Sequence, residues 1–198
     1  MDNKTAIIDY GAGNTQSVIN ALERIGADYL LTADPNVISE ARRVIFPGVG
    51  HAAAAMEQLE KSNLIDVIRS IKQPFLGICL GMQLMFQHSE EGNTTCLGLI
   101  DGEVRRFKTN LGYKVPHMGW NDFYPDLHNH LFKGMNVSES MYFVHSYYAE
   151  KGDFTSGMCD YTVPFSASVQ YGNFYGVQFH PEKSGTAGQK VLENFLLI

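Results

Sequence analysis

Cysteine is scarce in this chain: Cys79, Cys96 and Cys159 are the only three in 198 residues. They are odd in number and widely spaced, which excludes a disulfide framework and a zinc knuckle. Long apolar runs are missing too, since no stretch approaches the roughly 20 residues that span a bilayer. The segment Met1-Asp2-Asn3-Lys4 leads straight into a strand-like run with no secretory core. These absences point to a cytoplasmic protein with reduced thiols. Basic charge is also in short supply, 15 Lys and Arg against 21 Asp and Glu, and a net charge of −6 argues against a nucleic-acid partner. The densest basic stretch, Arg105-Arg106 with Lys108, reads as a solvated strand edge. Internal repeats, low-complexity tracts and linkers are absent, so residues 1–198 read as one domain.

What is present alternates. Thr5 to Asp9 is strand-like and ends at Gly11-Ala12-Gly13. Helical spacing follows through Val18, Leu22 and Ile25, with Gly26 as a stop. Tyr29-Leu30-Leu31 and Val44-Ile45-Phe46 read as buried strands, and between them Asp34-Pro35 reads as an N-cap with proline at N1. Helical segments fill His51 to Ile71. A strand then delivers Cys79, and a helix-like segment leaves it from Leu80 to Gln87. From Gly98 onward the pattern changes to aromatics, β-branched residues and turns. Strands are clearest at Gly102–Phe107, Met141–His145, Ser166–Gln170 and Tyr175–Phe179, and a closing amphipathic helix covers Ala187–Leu197. The rhythm implies an α/β fold, an open and largely parallel sheet flanked by helices, with an antiparallel extension.

In such sheets sites form beyond the carboxyl ends of the strands, and three strand ends here carry candidate chemistry. Gly77-Ile78-Cys79-Leu80-Gly81 has the layout of a nucleophile elbow, a sharp strand-to-helix turn that exposes one reactive side chain. Its glycines read as letting the backbone turn and a substrate approach. A helix start beneath the sulfur favours the thiolate. His180 suits the base that such a sulfur requires. Glu182 follows across Pro181, on the same side of an extended backbone, where its carboxylate can orient the imidazole. For an oxyanion, the Leu80 amide is one donor and the Pro47-Gly48-Val49-Gly50 loop supplies a second.

Other features carry less. Cys96 and Cys159 read as structural. His128 and His130 lack two further ligands, so no metal is expected. His51 and His88 read as helical and partly solvated. Gly11-Ala12-Gly13 with Asp34 hints at a dinucleotide turn, but Gln16 occupies the third glycine position. No cofactor is expected.

Gly77 to Gln83, Pro47 to Gly50 and Gln178-Phe179-His180-Pro181-Glu182-Lys183-Ser184 together resemble the class I glutamine amidotransferases, whose fold is flavodoxin-like. The likeness runs from about Thr5 to Leu197. Asp9 to Asn14, Pro116-His117-Met118-Gly119-Trp120-Asn121 and Tyr142 to Tyr147 resemble, more narrowly, the glutaminase subunits of imidazole glycerol phosphate synthases in histidine biosynthesis. The resemblance implies a Cys79, His180 and Glu182 triad acting through a glutamyl thioester, with Val49 and Leu80 at the oxyanion. It implies that Gly50, Gln83, His145, Ser146 and Tyr147 hold glutamine. It also implies a separate (β/α)₈-barrel cyclase subunit that receives the ammonia, since 198 residues leave no room for a barrel of about 250. Asn14, Trp120 and Lys183 are the candidate contacts with it. A glutaminase subunit serving a different synthase, as in surface-sugar biosynthesis, remains open. So do a noncatalytic module and a cysteine hydrolase on the same fold.

Overall fold

The computed structural model describes residues 4–11, 14–108 and 112–198. The turn residues Ala12 and Gly13, named above, lie outside them. The first half builds a parallel layer. β1 (Thr5–Ile8) leads to α1 (Thr15–Arg24), which Asn14 caps by accepting from the Ser17 N–H. Gly26 stops α1 with a φ of 67°, and β2 (Tyr29–Thr32) follows. α2 (Pro35–Glu40) starts as its sequence predicts, with the Asp34 carboxylate accepting from Asn36 N–H at 2.9 Å and Pro35 in the first turn. β3 (Arg43–Gly48), α3 (Ala52–Lys61), α4 (Ile65–Ser70), β4 (Phe75–Cys79) and α5 (Leu80–Gln83) complete this half.

The second half is mostly sheet. Its strands are β5 (Phe86–Ser89), β6 (Thr94–Thr95), β7 (Ile100–Arg106), β8 (His117–Pro125), β9 (Glu139–His145), β10 (Tyr147–Ala149), β11 (Thr155–Asp160), β12 (Pro164–Tyr171) and β13 (Phe174–Val177). The last helix is α6 (Gly185–Leu197). Through the sheet the order is β2-β1-β3-β4-β13-β12-β10-β7-β5-β6, with β11, β8 and β9 branching from β12. The five strands from β2 to β13 run parallel, and β12 turns the sheet antiparallel. This is the α/β sheet with an antiparallel extension that the alternation predicts.

The sheet is buried on both faces, so β1, β3, β4 and β13 carry near-continuous apolar runs. On one face Ile7, Ile45, Leu76, Ile78, Tyr175 and Val177 meet α1 and α6. On the other, Ile8, Val44, Phe46 and Phe75 meet α2, α3 and α4. Val191, Leu192 and Phe195 of α6 are buried, and each contributes about 1.5–3 kcal/mol. That docking fixes the turn just before α6, which carries His180.

Several expectations change. Tyr29–Leu31 is an edge strand rather than a buried one, and Leu30 and Leu31 are each 37% exposed because only β1 flanks them. The segment after Cys79 is a single helical turn instead of a helix to Gln87. Leu84, Met85 and Phe86 are all fully buried, so the solvent face a longer helix needs is lacking, and Phe86 pairs with Ile100 in the sheet. His88 consequently sits on β5, bonded to Asn93, rather than on a helix. His51 is the N-cap of α3, its Nδ1 accepting from the Ala53 N–H at 3.2 Å. The basic stretch is not a strand edge, because β7 is flanked by β10 and β5; it is solvated and ion-paired instead, with Arg105 meeting Glu90, Glu103 and Glu150 at 3.1, 2.6 and 3.4 Å.

Candidate active site

Cys79 ends β4 with φ 55° and ψ −111°. A non-glycine residue adopts this conformation only under constraint, at a cost of about 1–3 kcal/mol. The constraint comes from below. Neither Gly77 nor Gly81 has a positive φ; the strained backbone belongs to the cysteine itself. The glycines instead let three chain segments touch. A Cβ on Gly81 would lie 2.0 Å from the Phe46 carbonyl oxygen, one on Gly48 2.6 Å from the Gly81 nitrogen, and one on Gly77 2.8 Å from the Gly81 carbonyl. The elbow is thus wedged against β3, and Gly48 is the register partner of Cys79.

His180 follows β13, the strand beside β4. Its N–H donates to the Tyr142 carbonyl at 2.9 Å, and the Ser184 hydroxyl donates to its carbonyl at 2.6 Å and accepts from Tyr142 N–H at 3.0 Å. Pro181–Lys183 form a 3₁₀ turn packed under α6, where Gly188 is required because a Cβ would meet the Pro181 carbonyl at 2.1 Å. Within this clamp His180 Nδ1 and Glu182 Oε1 are 2.8 Å apart, with both side chains almost wholly buried. A carboxylate only accepts, so Nδ1 carries the proton and Nε2 is the nitrogen left for chemistry. In the resting site Nε2 makes no hydrogen bond of full geometry. Burial opposes charge on this ring, but the Cys79 sulfur and the Glu182 carboxylate outweigh it and raise the His180 pKa to about 10. A charged imidazolium held between the sulfur and the carboxylate is the state this arrangement favours.

Cys79, His180, Val49, Gly50, Leu80, Gln83, His145, Ser146 and Tyr147 all line one cavity of about 280 Å³. That is the small end of the ligand-pocket range. Every triad, oxyanion and substrate residue expected from sequence reaches this cavity except Glu182, which stands behind His180. Leu80 opens α5, so its N–H has no acceptor within the helix. Gly50 takes a φ of 102°, the left-handed region that glycine supplies. Gln83 donates through Nε2 to the Tyr147 carbonyl and to Gln178 Oε1, both at 2.8 Å. Gln178 Nε2 in turn lies 3.7 Å from the Cys79 sulfur. Cys96 and Cys159 are buried elsewhere, and desolvation pushes both thiols up to about 12, so they stay inert.

Besides Pro116 and Val144 in its wall, two polar residues at or behind the cavity had no role assigned from sequence. Glu91 lines the cavity while its Oε2 accepts from Ala52 N–H at 2.8 Å, at the start of α3. It belongs to a polar turn that carries no motif, so only folding reveals it. Gln178 stood in a quoted motif without a role. A glutamine two residues before His180, within the run read from sequence as the strand Tyr175–Phe179, was a usable signal, because positions i and i+2 of an extended chain share a side.

Of the interface candidates, Trp120 is 59% exposed and Lys183 is exposed. Both pack on Tyr142, whose ring lies 6.0 Å from the Trp120 ring and 5.9 Å from Lys183 Nζ. Asn14 is exposed at the start of α1, which touches the Pro181–Lys183 turn.

A family model described as glutamine amidotransferase class-I matches residues 6–198. The chain belongs to this family. It is 50% identical over 194 residues to the imidazole glycerol phosphate synthase subunit HisH of Bacteroides fragilis, with 98% of each chain covered. The HisH subunit of Bacteroides thetaiotaomicron is 48% identical over the same span, with the same coverage. Among solved structures, a glutamine amidotransferase superposes with a TM-score of 0.75 at 16% identity, covering 97% of both chains, which speaks for the fold alone. Identity near one half over the full length places the chain among the HisH subunits within the class I glutamine amidotransferases.

Proposed function

We propose that this chain is the glutaminase subunit of an imidazole glycerol phosphate synthase in cytoplasmic histidine biosynthesis. It acts as one domain over residues 1–198 and uses no cofactor. The observation that carries the reading is the strained Cys79 sharing one small cavity with the His180–Glu182 pair. Cys79 attacks the side-chain amide carbon of glutamine as a thiolate. The oxyanion that forms is met by the Leu80 amide and by the amide of Val49. His180 gives its Nε2 proton to the departing nitrogen, releasing ammonia and leaving a γ-glutamyl thioester. A water then loses a proton to His180 and attacks the thioester, and glutamate leaves as the sulfur is regenerated. Glu182 keeps Nδ1 protonated and stabilises the imidazolium in both halves.

Gly50, Gln83 and the His145-Ser146-Tyr147 backbone hold the glutamine. Glu91 adds a carboxylate for its α-ammonium group. Ammonia passes to a (β/α)₈-barrel cyclase subunit that docks over Asn14, Trp120 and Lys183. There it adds to a ribulosyl nucleotide intermediate, which is split into imidazole glycerol phosphate and an aminoimidazole carboxamide ribotide. Exposed aromatic and basic groups around Tyr142 support a docking role for that rim.

The test is glutamate release from glutamine by the purified chain, alone and with a cyclase subunit carrying its nucleotide ligand. Strong stimulation by the loaded cyclase, abolished in Cys79→Ala, is the expected result. Release that ignores the cyclase would keep the thiol chemistry and remove the partner.

A further inference from the structure

Behind the cavity runs a hydrogen-bond chain whose direction is fully determined. His145 Nδ1 lies 2.8 Å from the Tyr147 carbonyl, which can only accept, so Nδ1 carries a proton. A neutral His145 is then bare at Nε2, and His117 Nδ1 must donate to it across 3.0 Å. His117 Nε2 is bare in turn and accepts from Asn121 Nδ2 at 3.2 Å. Asn121 has no freedom to flip. Its Nδ2 also donates to the Asp160 carbonyl at 2.9 Å, and its Oδ1 accepts from Asp122 N–H at 2.8 Å. Burial holds both rings neutral, lowering His117 to about 4 and His145 to about 3.

The other end of the chain reaches the cavity wall. The Tyr147 carbonyl accepts from His145 and also from Gln83 Nε2, which donates to Gln178 as well. Both Gln83 N–H groups are therefore used. Gln83 Oε1 is left as the amide atom without a protein partner among the described residues, on a residue lining the cavity.

We propose that Asn121 and His117 are positioning residues for glutamine, acting through His145 to fix the Tyr147 carbonyl and hence which atom of Gln83 faces the substrate. This rests on the glutaminase reading above. Without the His117 donor, the buried His145 Nε2 has no partner, and the ring is no longer held in the orientation that points its Nδ1–H at the Tyr147 oxygen. When that bond lapses the carbonyl turns away, and the Gln83 amide loses the partner that sets its orientation. A flipped Gln83 presents N–H groups to the substrate ammonium where an oxygen is needed. The effect falls on binding, and the reacting atoms at Cys79 are left in place.

The His117 ring also stacks on Phe143 and Tyr161, at 4.9 and 4.0 Å between ring centres. That permits a clean test in the complex with the cyclase subunit, by steady-state kinetics with thermal melts as the folding control. His117→Phe keeps the stack and removes the donor, whereas His117→Asn loses the stack and keeps an N–H near the Nδ1 position. The relay predicts that His117→Phe raises the KM for glutamine about tenfold with kcat changed less than about threefold. His117→Asn returns KM to within about threefold of wild type. A structural role for the ring alone predicts the reverse order, and that order, or an unchanged KM in His117→Phe, overturns the proposal. Should His117→Phe fail to fold, Asn121→Leu at the half-buried end decides: KM raised at least about threefold supports the relay, and an unchanged KM refutes it. An inactive wild-type complex would defeat the glutaminase reading and the relay together. An active one with insensitive variants defeats only the relay.

Discussion

Replacing Gly81 with alanine tests the claim that the elbow is held by close backbone contact. The new Cβ would lie 2.0 Å from the Phe46 carbonyl oxygen and 3.0 Å from its carbon, where ordinary contact begins at 3.4 Å. Both atoms are backbone in a fully buried strand, so no side-chain rotation can relieve the overlap. Either β3 or α5 must move by more than 1 Å. Such overpacking costs about 3 kcal/mol, the upper end of the usual range. An unfolding entropy of about 2.1 cal/mol/K per residue over 198 residues converts this to a fall in Tm of about 7 °C. Gly98→Ala is the control, with a φ of 66° and nothing within 4 Å of the added Cβ. It stores only the left-handed penalty of about 1–2 kcal/mol, a fall of about 2–5 °C. Melting curves by circular dichroism on the three proteins decide it. If Gly81→Ala melts no lower than Gly98→Ala, glycine at 81 serves no packing requirement and the wedge argument is wrong.

Two further outcomes follow from the electrostatics. Glu182→Gln retains the shape of the His180 clamp but removes the carboxylate charge that helps raise the imidazole pKa to about 10. We expect kcat to fall about 10²-fold or more with little change in KM, and a loss carried mainly by KM would contradict the assigned role. The neutral histidines predict acid lability. Folded His117 titrates near 4 and His145 near 3, because burial penalises their charged forms and, for His145, His117 and His180 add repulsion. The unfolded chain takes up these protons first, near pH 6.5. Stability is therefore full above that pH and is lost as pH falls toward 4. His117 alone accounts for about 3 kcal/mol at most. Urea midpoints measured between pH 7 and 4 should fall for wild type and fall less for His117→Phe; parallel declines would rule out this titration as the cause.

Much of the site was legible in the chain because its chemistry is local. Cys79 lies between two glycines, and His180 and Glu182 straddle a proline, so each unit needs only a few residues to declare its geometry. The parallel half was equally plain, since strands buried on both faces must be apolar throughout and helices between them must be amphipathic. The same logic misled at the margins. Tyr29–Leu31 has the composition of a central strand but lies at the edge, and strand order is not written in any strand. The apolar segment after Gln83 suits a buried helix and a buried strand alike, and pairing with Ile100 chose the strand.

Tertiary structure alone decided what lies behind the named residues. The glycines of the elbow are local in sequence, but the Phe46 carbonyl that makes Gly81 necessary arrives from a strand more than thirty residues away. Glu91 enters the cavity from a turn without a motif, and Asn121, His117 and His145 align only because β8 and β9 pair in one register. The sequence by itself determined which atoms could react, because nucleophile, base and orienting acid are properties of residue type and short spacing. Their separations, the neutral tautomers and the direction of each buried hydrogen bond depend on which strands meet, and that is a property of the folded sheet.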